Sequence, residues 1–533
     1  MNSGRRDEGV DLSSKKRIAQ AAFIVFLLNT VAKFGGFFRT LIVAMFFGAS
    51  GSTDAEGIAS ALTNSVTILS GPISTAFLPV LTSHLAKGDE EGARQVTSSV
   101  MTVSVILVLG LSTVAAVFAP MLVRLAGSGL TQDAFDSAVL LTRVYFPAMV
   151  LPLLAVYAKF VLNAHDEFNI PALSVTVQNL TTIAVIALLA PVFGVRALAI
   201  GFVLSNSVAL LVQLLAWRKR AAFPRFSLRL DESSRSVFRL AMPLVLSSLF
   251  AQAYVLVDRN LASRLAEGSV AVLGYAERLR QVPLGLFVAA VTTVIYPSLS
   301  SMWAREDKAG FRDTAIMGLR YVEFICIPAA VGLMVLARPV VRLAYERMAF
   351  TSDATVATAG VLTAYAPALV AMAASQVITY AFYSAHETRL PVAIGIGTSL
   401  LSALLDFALV GALGLIGLGV ANSIATTVGA LAGLYLLSRL LGGLPVLGLG
   451  KSLAKILAAS AAMGVVAYYV SGATGFAAGT GSLLRDVVAA GVTVGVAGLT
   501  FAVLAYVLKC EEMTMFIGLA KDKLRSLAKK VRQ

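Results

Sequence analysis

Metal and thiol chemistry have almost nothing to work with in this chain: its 533 residues include three histidines and two cysteines. Cys326 and Cys510 lie far apart, which leaves no zinc-ligand spacing, no CxxC redox pair and no disulfide framework. Charge is also scarce, at 14% against the roughly 25% of an ordinary soluble domain. With 58% hydrophobic residues, a soluble enzyme is excluded and lipid becomes the expected solvent. The net charge of +14 would suit nucleic acid in a soluble protein, but in so apolar a chain it has to be read by position along a membrane. No GxxxxGK(S/T) loop and no long polar domain is present to hold a nucleotide, and GxSxG, HExxH and paired catalytic carboxylates are absent too. The expectations are no enzymatic activity, no nucleic-acid partner, no organic cofactor, and transport that draws on a gradient or runs downhill.

What is present is apolar length. A helix needs about 20 mostly apolar residues to cross the hydrocarbon, and punctuation by Gly, Pro and charge divides the chain into about fourteen such stretches. They run near 18–49, 55–84, 93–124, 135–162, 169–190, 195–217, 237–262, 268–300, 311–337, 352–384, 388–411, 414–440, 452–471 and 484–508. The polar opening, Met1 to Lys16, precedes a stretch too long for a signal peptide and without a small-residue cleavage site, so the first helix is expected to be retained. Lys and Arg concentrate in alternate connections. One set holds the N-terminus, the 217–239 loop with Arg218, Lys219, Arg220, Arg225, Arg229, Arg235 and Arg239, and the tail with Lys509, Lys521, Lys523, Arg525, Lys529, Lys530 and Arg532. Positive residues stay inside, so both termini are predicted on the cytoplasmic side of a multi-pass inner-membrane protein. The tail also spaces Met513, Phe516, Ile517, Ala520, Leu524 and Leu527 along one helical face, which suits an interfacial helix near anionic lipids or a solvated tail that only sets topology.

The chain repeats itself. Pro79 to Arg94 matches Pro297 to Arg312 at an offset of 218, and Ala164-His165 leading to Pro171 matches Ala385-His386 leading to Pro391 at an offset of 221. Two matches six stretches apart predict two parallel six-helix halves, and transporters built this way place their site where the halves meet. The fold class is therefore an all-α polytopic membrane protein. Its expected parts are an N-lobe over 1–217, a basic cytoplasmic linker over 218–236, a C-lobe over 237–440, two further helices over 441–508, and a basic amphipathic tail over 509–533. His165 and His386, at equivalent repeat positions, are expected to share a structural role in a cytoplasmic turn.

An ionisable group inside a span is costly and by default faces a cavity or a partner. The first stretch carries Lys33 and Arg39, about 240° apart on a helix, so they share a wide face only if Gly35 and Gly36 bend or unwind it. The eighth carries Arg278 and Arg280 beside Glu277, followed by Pro283, which is able to open the backbone. Guanidinium groups in a low-dielectric cavity suit a multiply charged anion such as a diphosphate. The bland alternative pairs Arg39 or Arg278 with Asp54, Glu56 or Glu277. Asp258 and Asp406 lie deep in apolar sequence; Ser402 and Asp406 share a face at four-residue spacing, as do Asn422 and Thr426. Asp258, Asp406 and Asn422 form a candidate sodium site, or the acids carry protons; the alternative is a local Asp258–Arg259 pair and a hydrated Asp406.

Gly36-Phe-Phe-Arg39 followed by Phe47-Gly48 and Thr53-Asp54-Ala55, Ala76-Phe-Leu-Pro79, Tyr275-Ala-Glu-Arg278-Leu, Pro297-Ser-Leu-Ser300, and Phe382-Tyr383-Ser384 leading to Pro391-Val392 together resemble the MviN/MurJ family of bacterial lipid II flippases, within the multidrug/oligosaccharidyl-lipid/polysaccharide exporter superfamily. The resemblance covers the first twelve stretches in order. It implies fourteen helices, two lobes around a cationic cavity, and alternating access that moves an undecaprenyl-diphosphate-linked glycan outward, with membrane lipids and cell-wall synthesis proteins as candidate partners. By motif, Arg39, Arg278 and Asp54 stand at substrate-cavity positions and Lys33 where the family usually has Arg; Asp258, Asp406 and Asn422 resemble positions of a sodium site in some members. Thr40 departs from the acid usual there, and Ser65 and Ser70 replace an expected arginine and glutamate, which leaves a lipid-linked diphosphate a firmer expectation than lipid II itself. The competing expectations are a cation-coupled multidrug antiporter of the same superfamily, against which the basic cluster counts, and a non-transporting membrane scaffold.

Overall fold

Long apolar runs can satisfy their peptide groups in lipid only by closing into helices, and the chain does so almost without interruption. In the computed structural model, residues 12–444 and 446–514 are described; no strand occurs among them. The described residues fold as two compact units, 12–46 with 51–252 and 47–50 with 253–514. The first contains α1 (Leu12–Phe47), α2 (Gly51–Ala86), α3 (Glu90–Val117), α4 (Ala119–Ala126), α5 (Gln132–Ala148), α6 (Val150–Ala164), α7 (Asn169–Phe193), α8 (Arg196–Arg220) and the first part of α9 (Glu232–Ser263). The second contains the rest of α9, then α10 (Ser269–Pro283), a π-helical turn (Leu284–Val288), α11 (Ala289–Ala304), α12 (Lys308–Val335), α13 (Ala337–Tyr345), α14 (Ser352–Ser384), α15 (Arg389–Leu413), α16 (Leu415–Leu440), α17 (Val446–Ala473) and α18 (Leu483–Val507).

Twelve segments among the described residues are long and apolar enough to cross a membrane, and α2 and α9 stand where the sequence places two more. The stretch expected at 93–124 is broken, whereas the one expected at 135–162 is a single apolar span, Gln132–Ala164, whose helical pattern is interrupted only at Met149. Pro120 in the first turn of α4 ends α3 at Phe118, and the residues after Pro147 separate α5 from α6 at Met149. After Pro283 the helix widens into the π turn, as expected for a residue that removes a backbone donor. By contrast α1 runs through Gly35 and Gly36 without interruption. Gly35 serves packing instead: a Cβ there would meet the side chain of Asn179 on α7 at 3.1 Å, and Asn179 Nδ2 donates to the Ala32 carbonyl at 3.0 Å. Lys33 and Arg39 therefore do not share a narrow face.

The repeat is written into the backbone. Asp89 caps α3 by accepting from Gly92 N–H at 2.8 Å, and Asp307, 218 residues on, caps α12 by accepting from Gly310 N–H at 2.8 Å. Farther along, the offset becomes 220: α7 and α15 start at Asn169 and Arg389, and Gly194 and Gly414 end them at φ 54° and 56°. This corrects the expected pairing of His165 with His386. The left-handed residues that turn the chain are Asp166 at φ 59° and His386 at φ 58°, so His386 corresponds to Asp166, one residue beyond the Ala-His match. His165 instead bonds the Val161 carbonyl through Nδ1.

The basic connection is held in place rather than trailing. Its extended part, 221–231, has no strand partner, and side chains of α3 take up its peptide groups. Ser98 Oγ accepts from Arg225 N–H at 3.0 Å, Thr102 Oγ1 accepts from Ser227 N–H at 3.2 Å, and Ser99 Oγ donates to the Arg229 carbonyl at 2.7 Å. Of the expected amphipathic tail 509–533, residues beyond 514 lie outside the described part.

Candidate functional site

In the first unit, Lys33 is exposed and Arg39 half-buried on α1, and Asp54 is buried in the first turn of α2, where the positive end of the helix dipole favours a carboxylate. The charges of Arg39 and Glu56 both act on the buried ring of Tyr145, and Glu56 accepts from Ser60 Oγ at 2.7 Å. Ser65 bonds back to the Ala61 carbonyl of its own helix; the side chain of Ser70 lies outside the described part.

The second unit brings two buried acids and a buried arginine into one cluster. Helix α15 is apolar outside and polar inside: Leu404 and Phe407 are 69% and 60% exposed, as befits a lipid-facing surface, whereas Ser402 and Asp406 are its buried residues. Ser402 Oγ donates to Tyr254 Oη of α9 at 3.0 Å, and Asn422 Nδ2 of α16 donates to the same oxygen at 3.3 Å. One turn on from Tyr254 stands Asp258, 7% exposed. From α10 comes Arg280, 5% exposed: its Nη1 donates to Asn422 Oδ1 at 2.7 Å, and its guanidinium carbon lies 4.5 Å from the centre of the Tyr365 ring of α14. Arg259 pairs with Glu277 at 3.2 Å and donates to the Val270 carbonyl; Glu277 also accepts from Gln281. The local Asp258–Arg259 pair considered from the sequence is thus not the salt bridge formed, although the charges of Arg259, Glu277 and Arg280 all act on Asp258.

Arg278 follows a different course. Two positions on a helix are about 200° apart, so when Arg280 is buried Arg278 has to point away from the cluster. It is exposed and forms no ion pair among the described residues, because its neighbour Glu277 is engaged by Arg259. The structure thus brings Asp258, Asp406 and Asn422 into one cluster, with Tyr254, Tyr365 and Arg280 added. Tyr254 was legible as the i−4 neighbour of Asp258 on one helix face. Arg280 was visible as a charge, but only the three-dimensional packing separates its role from that of Arg278.

The oxygens of the cluster fall into two groups. Asp258 Oδ1 and both oxygens of Asp406 are buried with no hydrogen-bond partner among the described residues, as oxygens awaiting a cation would be. Among the neutral oxygens, Asn422 Oδ1 accepts from Arg280, while the hydroxyls of Ser402 and Thr426 donate to Tyr254 and, at 2.6 Å, to the Asn422 carbonyl.

The family model described as lipid II flippase MurJ matches residues 43–489. A probable lipid II flippase MurJ of Vibrio cholerae is 30% identical over 430 residues, 78% of this chain and 82% of that protein. One of Haemophilus influenzae is 29% identical over 467 residues, 81% and 89% of the two chains. Among solved structures, a lipid II flippase MurJ in an inward closed conformation superposes with a TM-score of 0.76 at 24% identity, over 91% of this chain and 99% of that one. An inward-facing multidrug resistance transporter of the MATE family superposes with a TM-score of 0.66 at 19% identity, over 80% and 95%. At these identities the structural likeness is one of fold.

Proposed function

The chain belongs to the MurJ family of lipid II flippases, and from that premise we propose that it moves lipid II, an undecaprenyl-diphosphate-linked peptidoglycan precursor, across the bacterial inner membrane by alternating access. The family is one of transporters, and the chain is a multi-pass membrane protein. Arg278 supports the reading most directly. A guanidinium in the middle of an apolar span is retained only where water or an anionic ligand reaches it, and the one carboxylate beside it in sequence is already neutralised by Arg259. Arg278, and separately Arg39 and Lys33, carry the kind of charge that suits diphosphate oxygens through charge-assisted hydrogen bonds. Asp54 sets the local field at the start of α2. Both termini face the cytoplasm, and cell-wall synthesis proteins are the partners expected of a flippase of this precursor.

The test is complementation of a strain depleted of its own flippase. Arg278→Ala and Arg39→Ala should each abolish growth support while reaching the membrane at wild-type levels, and Arg278→Lys, which keeps charge but loses the bidentate fork, should restore part of it. Full complementation by both alanine variants would remove these residues from substrate binding.

A further inference from the structure

The buried cluster of the second unit already contains a cation of its own. Arg280 reaches into it from α10, is 5% exposed, gives Nη1 to Asn422 Oδ1 at 2.7 Å, and rests on the Tyr365 ring at 4.5 Å. A hard metal ion at Asn422 would need that same carboxamide oxygen. The orientation of the amide is fixed from its other end, where Nδ2 donates to Tyr254 at 3.3 Å. Ser402 and Thr426 donate their hydroxyl protons to Tyr254 and to the Asn422 carbonyl, so of the neutral oxygens here it is that of Asn422 which Arg280 occupies. Charge leads to the same conclusion: Arg280 acts on Asp258, so a metal ion between Asp258 and Asn422 would face a fixed guanidinium in a medium that screens poorly.

We infer that Arg280 is the resident counter-cation of this cluster, a tethered guanidinium that fills the place a sodium ion would take beside Asn422 and so makes the protein indifferent to sodium. The residue is a determinant of ion specificity that acts through Asn422 and Asp258. Conformational work in this unit then proceeds without a sodium ion, and two of the three residues that resemble a sodium site, Asn422 by its hydrogen bond and Asp258 by its charge, serve to hold Arg280. The inference goes beyond the flippase reading and does not depend on it.

The experiment uses the full-length purified protein in detergent. Thermal midpoints are measured in sodium chloride against choline chloride at equal ionic strength, and binding of radiolabelled sodium is followed in parallel. Wild type should show no sodium-specific shift and no saturable binding. Arg280→Met, which keeps length and apolar packing but frees Asn422 Oδ1, should gain saturable sodium binding and a sodium-specific rise of about 2–4 °C, both lost again on adding Asp406→Asn. Saturable sodium binding by wild type that disappears in Asp406→Asn would overturn the inference, whether or not the Arg280 variant folds. So would an Arg280→Met protein that is folded, by the criterion of a cooperative melt, yet stays indifferent to sodium. Neither readout involves lipid transport, so a failed flippase assignment would leave this result unaffected.

Discussion

Glu277 leaves Arg278 without a counter-charge only while it is committed to Arg259, so the strength of that pair decides the role of Arg278. The nitrogen and oxygen of the pair are 3.2 Å apart, with side chains 12% and 36% exposed. At an effective dielectric constant of about 20, Coulomb attraction at that separation is about 5 kcal/mol. Partial exposure of Glu277 and the desolvation of Arg259 reduce this to a net coupling of about 2 kcal/mol. Arg259→Met should cost more than the coupling, about 3–4 kcal/mol, because it also removes the hydrogen bond to the Val270 carbonyl and leaves Asp258 with one fewer neighbouring cation. Glu277→Gln should cost about 1–2 kcal/mol, since the carboxamide oxygen still accepts from Arg259. The double variant should then be about 2 kcal/mol more stable than the sum of the single losses implies. Unfolding in mixed detergent micelles, measured on all four proteins, gives the cycle. A coupling below about 0.5 kcal/mol would show that Glu277 is not held by Arg259. Glu277 would then be available to neutralise Arg278, and the case for Arg278 as a diphosphate ligand would fall with it.

Two further outcomes follow from local geometry. Gly48 sits at φ 63° in the turn 47–50, where an added Cβ would overlap the carbonyl oxygen of Ala349; its own carbonyl accepts from Tyr275 Oη at 2.8 Å. Gly48→Ala should lose about 2–3 kcal/mol from left-handed strain and displaced backbone, and an unchanged thermal midpoint would contradict the contact. At the opposite end of α2, the carboxyl of Asp89 is held below the ordinary carboxylate range, chiefly by its hydrogen bond with His84 and next by the Gly92 N–H. A depressed carboxyl contributes stability that is complete above its unfolded value and lost as pH falls through its folded value. The stability advantage of wild type over Asp89→Asn should therefore be full at neutral pH, start to shrink near about pH 4, and vanish on further acidification. An advantage that grows as pH falls would show the sign to be wrong.

Local properties of the chain settled a great deal. Apolar length placed the helices, because lipid leaves the backbone no other way to satisfy itself. The match between Pro79–Arg94 and Pro297–Arg312 anticipated twin caps at Asp89 and Asp307, because a cap depends on residues within one turn. Breaks at Phe118 and Met149 were harder to foresee, since a proline within an apolar stretch either ends a helix or is absorbed by it, as Pro367 is in α14. The registration of His165 with His386 failed by one residue because composition aligns letters, whereas the turn is fixed by which residue adopts a positive φ.

The candidate site shows where sequence stops. Ser402 and Asp406 were readable as one helix face, and Asp258 as a costly buried acid, because burial cost and helical spacing are properties of a single segment. Which cation meets those acids was not readable. Arg278 and Arg280 are the same residue type two positions apart, and nothing local tells them apart. Tertiary packing alone turns one guanidinium outward and seats the other between Asn422 and Tyr365, because the partners come from α14 and α16, remote in the chain. Sequence determined that charge would be buried in lipid; only the fold decided how it is neutralised.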